Sequence, residues 1–385
     1  MNTSKTSVVD REELEALRSS IEEVLASECD SRAVHAYFDG KSKLDESLWS
    51  RASDLGWMGA SLPESLGGLG LGPMGLHLLH WELGRRTVPG PYIATLSVGQ
   101  WLAEIGTEEQ KSRFLPLIAS GKLTAALPVT LIGSDQPVIE SKKPLTLQGS
   151  SLHGRIDVLG PRDAGLFVLP VGSGGSIEAW ALLQPEGATT SVQHSEIWDR
   201  TREICTVECT GAKVAGLLPD PDGSVGRRLL RHVALAIAAD SLGGATHISR
   251  QTVEYLKTRV QFERPIASFQ AIKHRAADMV ISIAAQRYVL EQAVESAMQD
   301  SPDADMWAAI AKVGATKTFA YVAGDCIQLH GGMGHTWEFD PHIYAKRARV
   351  NEAVASDNRV LLDFGARELA SATRAGRVTT ELGLS

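Results

Sequence analysis

Two short segments in the last third of the chain hold residue types suited to a phosphorylated, planar ligand. Arg259 offers a fixed cationic fork that matches a pyrophosphate, and Phe262 offers an apolar face to an adenine-like ring. Gln328 can both donate to and accept from a polar ligand edge. Beyond it, Gly331, Gly332 and Gly334 allow the backbone to approach a ligand closely and turn its N–H groups toward phosphate. Singly, each has an ordinary explanation: a solvated arginine, a core phenylalanine, a tight turn. Their joint occurrence makes the case. Asp240 is a candidate of another kind, a lone carboxylate in the run Ala-Ile-Ala-Ala-Asp-Ser-Leu-Gly-Gly. Burial in such a run raises a carboxylate pKa toward that of a general base, although a helix-packing aspartate bonded to a neighbouring helix would look the same.

Other chemistries are poorly served. His330, His335 and His342 lack the spacing of a helical metal pair and no Cys or carboxylate completes a ligand set, so no metal is expected. No Gly-x-Ser-x-Gly nucleophile elbow is present. A formal charge of -8 and the absence of a basic stripe argue against nucleic acid. The four cysteines, Cys29, Cys205, Cys209 and Cys326, follow neither a Cys-x-x-Cys nor a secreted-framework pattern, which points to reduced thiols. No apolar run reaches the ~18 residues of a membrane span and no leader pattern opens the chain, so the cytoplasm is the expected location and no membrane contact is expected.

At 385 residues the chain is long enough for several packed units. Leu14, Leu17, Ile21, Val24 and Leu25 follow the three-and-four spacing of a helix face, with Asp10 and Glu13 placed to cap it. Thr107 and Gln110 form a second capping pair, and Leu76–Leu83 and Ile93–Ile105 also read as helical. Short apolar or alternating runs at Leu123–Leu131, Leu166–Val171, Ile177–Gln184 and Ile204–Val214 predict a middle β unit. Helical period returns in Leu229–Val260, His274–Met298, Met306–Leu329 and Glu352 to about Thr373, with Pro302 expected at the first helical position of the third block. The expected organisation is α+β: an N-terminal helical domain over 1–122, a middle β domain over 123–220 and a C-terminal helical bundle over 221–385.

The segment Arg259-Val-Gln-Phe262-Glu263-Arg-Pro-Ile, followed by Phe269-Gln270-x-x-x-His274, resembles the acyl-CoA dehydrogenase signature. Ile327-Gln328-Leu-His-Gly331-Gly332-Met-Gly334 resembles that family's Gly-rich loop. Weaker agreement, including Pro63-Glu64-x-x-Gly67-Gly68 and Trp198-Asp199-x-Thr201-Arg202, extends over nearly the whole chain. The resemblance implies N-terminal helices, a middle β barrel and a C-terminal four-helix bundle. It also implies FAD held across a subunit boundary by Arg259, Phe262, Gln270, Gln328, Gly331 and Gly332, together with Thr130 and Ser134 of a shortened flavin-facing segment. The implied reaction is α,β-dehydrogenation of an acyl-CoA thioester, with electrons passed to an electron-transfer flavoprotein.

One requirement of that reaction is unmet. A carboxylate must take the α-proton, but the two positions where the resemblance places it are Val233 and Ala355. Asp240, Glu352 and Asp357 are the acids close by, and Asp240 is the expected substitute base. Two arrangements follow: a homotetramer with its base shifted to Asp240, or a non-catalytic FAD-site subunit whose related partner supplies the Glu in a heterotetramer. A scaffold without flavin would leave the co-occurring cofactor residues without a purpose. Two further departures fall beside the expected cofactor: Glu263 replaces the family's Gly, and Asp157-Val158-Leu159 replaces its Trp-x-Thr.

Overall fold

A computed structural model describes residues 11–131, 144–173, 176–185 and 187–377. Six helices come first: α1 (Arg11–Glu28), α2 (Ser31–Phe38), α3 (Leu44–Asp54), α4 (Gly72–Arg85), α5 (Tyr92–Ile105) and α6 (Glu108–Ala119). Leu17, Ile21, Val24 and Leu25 of α1 are buried on one face, as their spacing predicts, while Asp10 lies outside the described residues. The capping box of α6 is complete: Gln110 N donates to Thr107 Oγ1 at 3.2 Å and Thr107 N to Gln110 Oε1 at 2.9 Å.

The middle of the chain forms β1 (Ala125–Pro128), β2 (Thr146–Gln148), β3 (Ser151–Leu159), β4 (Leu166–Ser173), β5 (Ser176–Leu183), β6 (Thr190–Ser195), β7 (Ile204–Lys213) and β8 (Gly216–Pro219). They make one sheet in the order β6-β7-β3-β1-β4-β5-β8, with β2 added beside β3 and only β1–β4 parallel among its strand pairs. Alternation along β4 explains how the sheet is held. Phe167 and Leu169 join Ile156, Val207 and Ala181 in a core that draws on both halves of the curled sheet, whereas Leu166 and Val168 face the helices. Cys205 and Cys209 pack in that core as free thiols.

The C-terminal part begins with α7 (Ser224–Thr258), a helix of 35 residues. A small hairpin, β9 (Val260–Gln261) and β10 (Arg264–Pro265), leads to α8 (Gln270–Met298) and α9 (Ala304–His330). The third long helix therefore starts two residues after Pro302, which stays in the preceding turn. The block predicted from Glu352 onward is divided: α10 (Pro341–Ala353) ends there, and α11 (Asn358–Arg374) starts after a kink in which Ala355 and Ser356 have φ of 66° and 112°. Non-glycine residues in that region are uncommon, and apolar spacing alone does not announce them.

α4 and α7 touch backbone to backbone. A Cβ at Gly84 would lie 2.2 Å from Asp240 O, and one at Gly243 would lie 2.1 Å from Trp81 O. Gly84→Ala or Gly243→Ala should therefore lower stability by about 1–3 kcal/mol in urea unfolding, the usual cost of overpacking. Gly324→Ala is the control, since nothing lies within 4 Å of the place its methyl group would take and alanine favours the helix; its stability should not fall.

Candidate functional site

Val233 on α7 and Ala355 in the α10–α11 link are both 0% exposed and belong to one apolar cluster with Trp101, Leu127, Leu131, Leu159 and Leu361. The two alternative base positions thus belong to the same core, and both are apolar. Lys312 of α9 holds the link in its kinked form. Its Nζ donates to Glu352 O at 2.8 Å, Ser356 O at 3.0 Å and Asn358 Oδ1 at 2.9 Å. Burial pushes its pKa down to about 7, while three acceptors for three N–H bonds is what the ammonium form needs. Leu131 N donates to Ser356 Oγ at 3.2 Å, tying the same link to the end of the segment that carries Thr130.

The neighbouring acids are committed elsewhere. Glu352 sits in the last turn of α10 and accepts from Arg349 Nη1 at 2.8 Å at the surface. It neither caps nor begins the last helix. Asp357 does that, accepting from Arg359 N at 2.8 Å.

Asp240 is 1% exposed, but its surroundings oppose the expectation of a raised pKa. Arg347 of α10 donates Nη2 to Asp240 Oδ1 at 2.9 Å and Nε to Oδ2 at 3.2 Å. Asn351 Nδ2 donates to Oδ2 at 2.8 Å, and Arg202 Nη2, from the loop before β7, lies 2.8 Å from Oδ1. Burial alone would raise the pKa, yet Arg202, Arg347 and the Asn351 hydrogen bond together hold it down at about 2. Contrary to the expectation of a raised pKa, Asp240 is an ionised acceptor of three hydrogen bonds that packs α7 against α10. Arg347 and Lys312 are the residues that sequence reasoning passed over. Lys312 interrupts an apolar helical run as Asp240 does and carried the same signal, whereas Arg347 lies in Lys-Arg-Ala-Arg, a run indistinguishable from a solvated face.

The residues expected at the cofactor separate into two groups. Thr130 follows β1, where Val129 N donates to Asp157 O at 3.1 Å, and Ser134 lies outside the described residues. The other group gathers at the far end of the bundle. Tyr255 of α7 stacks on His330 at 4.3 Å between ring centroids and its hydroxyl reaches Met333 Sδ at 3.7 Å, so the hairpin with Arg259 and Phe262 and the Gly-rich turn after Gln328 share one end. Val233 is 26 residues before Arg259 on one helix, a rise of ~39 Å. One chain therefore does not bring both groups onto one compact ligand.

The far group fits a planar, phosphorylated partner. Phe262 is 85% exposed, Arg259, Gln270, Gln328, Gly331 and Gly332 are exposed too, and added Cβ atoms at both glycines would meet nothing within 4 Å. Phe262 and Glu263 are held at φ of 52° and 63°, so Glu263 occupies the left-handed backbone that a glycine would adopt freely. In the sheet, His194, Glu203 and Cys205 approach within 4.8 Å of one another. Burial pushes the Cys205 thiol up to about 11.

Residues 11–122 match the acyl-CoA dehydrogenase N-terminal domain and residues 224–370 the acyl-CoA dehydrogenase C-terminal domain. Acyl-CoA dehydrogenase IpdE2 of Mycobacterium tuberculosis (strain ATCC 25618 / H37Rv) is 30% identical over 91% of this chain and 95% of its own length. A variant of the Tcur3481-Tcur3483 steroid ACAD superposes with a TM-score of 0.84 at 26% identity, covering 94% of this chain and 99% of that one. The ChsE4-ChsE5 complex from Mycobacterium tuberculosis gives 0.83 at 25%, covering 94% and 98%.

Asp240→Asn leaves Arg202 and Arg347 buried without a counter-charge and should cost about 3–5 kcal/mol in chemical denaturation. Because the folded pKa is depressed, the carboxylate's contribution is complete above the unfolded value of ~3.9 and is lost as pH falls through about 2. The stability difference between wild type and Asp240→Asn should therefore shrink between about pH 4 and pH 2 and stay flat above it.

Proposed function

Since the chain belongs to the acyl-CoA dehydrogenase family, we propose that it is one component of an FAD-dependent assembly that dehydrogenates an acyl-CoA thioester between Cα and Cβ, a related chain supplying the carboxylate base. The observation that carries this reading is the apolar, closed environment of both base positions, Val233 and Ala355, combined with the ion pairs that occupy Asp240. A base needs a free lone pair in reach of the α-proton, and this chain has a saturated one. Two of the similar structures are named for paired components, which is consistent with a two-component arrangement.

When bound, FAD supplies the hydride acceptor. What this chain's own residues do is bind and orient. Arg259 would pair with the pyrophosphate and Phe262 would cover the adenine side, with Gln270, Gln328, Gly331 and Gly332 completing a cradle that faces a neighbouring subunit. Thr130 and Ser134 would serve the chain's own flavin edge, and Leu131, next to Thr130, is tied through Ser356 to the link that Lys312 holds. Electrons would leave to an electron-transfer flavoprotein, with the cytoplasm as the setting. The steroid named for one similar structure makes a steroid thioester the first acyl class to assay.

Purification of the chain alone and together with a related acyl-CoA dehydrogenase chain tests this directly. The pair should show flavin absorbance and reduce an artificial acceptor with acyl-CoA, while the chain alone should not turn over. An active homo-oligomer of this chain would overturn the proposal. In the active pair, Arg259→Ala and Phe262→Ala should lower the flavin-to-protein ratio without changing the unfolding midpoint of flavin-free protein, since both side chains are exposed.

A further inference from the structure

A groove of about 430 Å³ opens between α1, α4, α7 and α8, away from both parts of the site described above. Its α7 residues, Thr246, Ser249 and Arg250, begin 13 residues after Val233 and end nine before Arg259, or ~20 Å and ~13 Å along the helix. Four guanidinium groups line it, Arg18, Arg85, Arg250 and Arg287, against two carboxylates, Glu22 and Glu82. This excess of positive charge occurs in a chain whose formal charge is -8.

The carboxylates are already used. Arg85 Nη1 binds both Glu22 Oε1 and Glu82 Oε2 at 2.6 Å, and Arg18 Nε stands 3.9 Å from Glu82. Arg287 turns its Nε to Glu291 at the surface, at 2.8 Å, and its guanidinium lies 6.0 Å over the ring of Trp81. Arg250 makes no hydrogen bond or ion pair among the described residues. His77 lines the same groove with Nδ1 buried and without a hydrogen-bond partner in the described residues. Burial, with Arg18 and Arg287 nearby, pushes its pKa down to about 4, so it is neutral. A buried polar atom left unpaired is costly, and such atoms mark places where a missing group belongs.

The remaining lining separates an organic ligand from a bare ion. Leu78, Trp81, Val280 and Ile283 make an apolar and aromatic wall, and guanidinium forks beside it suit phosphate oxygens. We propose that this groove binds an organic phosphate of the nucleotide class, its ring against Trp81 and its phosphates toward Arg250 and Arg287. The volume suits an occupant of that size. None of the residues assigned to FAD or to dehydrogenation lines the groove, so this site stands apart from the proposed function.

Calorimetric titration of the FAD-saturated assembly with ADP tests it, with inorganic phosphate as comparator. A saturable ADP site is expected, weakened roughly tenfold or more by Arg250→Ala and by Arg287→Ala and also by added salt. Arg259→Ala should leave it unchanged, which separates this groove from the adenine side of the FAD site. Arg250 has no folding partner to lose, and an unchanged melting temperature of its variant confirms that the protein is intact. No saturable ADP binding, ADP binding lost with Arg259→Ala but kept with Arg250→Ala, or phosphate bound as tightly as ADP would each overturn the proposal.

Discussion

The buried Asp240 carboxylate and the two arginines that face it hold together parts of the molecule that are far apart in sequence. Arg347 brings in α10 and also donates to Val88 O in the turn before α5, while Arg202 brings in the loop that leads into β7. A carboxylate and two guanidinium groups out of water are tolerated only when each finds partners. Asn351 serves the carboxylate, Thr201 and a main-chain carbonyl oxygen serve Arg347, and Arg202 has the Asp240 carboxylate 2.8 Å away as its counter-charge. The glycines on α4 and α7 belong to the same constraint, because Gly84 packs on the backbone of Asp240 itself. N-terminal helices, sheet and bundle are thereby joined at one point.

That junction also limits the chemistry. An aspartate needed in its ionised form to neutralise two buried cations gives up a proton readily and takes one reluctantly. Close by, Lys312 fastens the α10–α11 link in a kinked shape, but what it presents at position 355 is a methyl group inside an apolar cluster. The framework of a dehydrogenase subunit is therefore retained around a position that cannot accept a proton. This combination is what supports the proposed division of labour between two related chains.

The distribution of cofactor-type residues points the same way. Arg259 and Phe262 sit at the end of a long rigid helix, at an exposed hairpin whose largest side chain reaches into solvent, and the Gly-rich turn after α9 lies at the same end. Thr130 lies with the other end, beside the link that Lys312 holds. A helix of this length keeps the two groups apart in one chain, which supports the proposal of an FAD site shared between chains.

Much of this was legible in the residues alone. Three-and-four spacing marked α1, the capping pair of Thr107 and Gln110 marked α6, short apolar or alternating runs marked β1, β4, β5 and β7 but not β2, β3, β6 or β8, and the loss of a carboxylate at 233 and 355 needed no coordinates. These are local or positional properties, determined by neighbours in sequence. Tertiary structure decided the rest. Whether Asp240 is a base or a salt-bridged anchor depends on Arg202 and Arg347, which are distant in sequence, and nothing in the residues around either shows that it faces Asp240. The kink at Ala355 and Ser356 arises from bonds that Lys312 makes from another helix, and the arginine groove exists only because four helices meet. Charge and strain of this kind are set by which groups are brought together out of water, and no window of sequence contains that information.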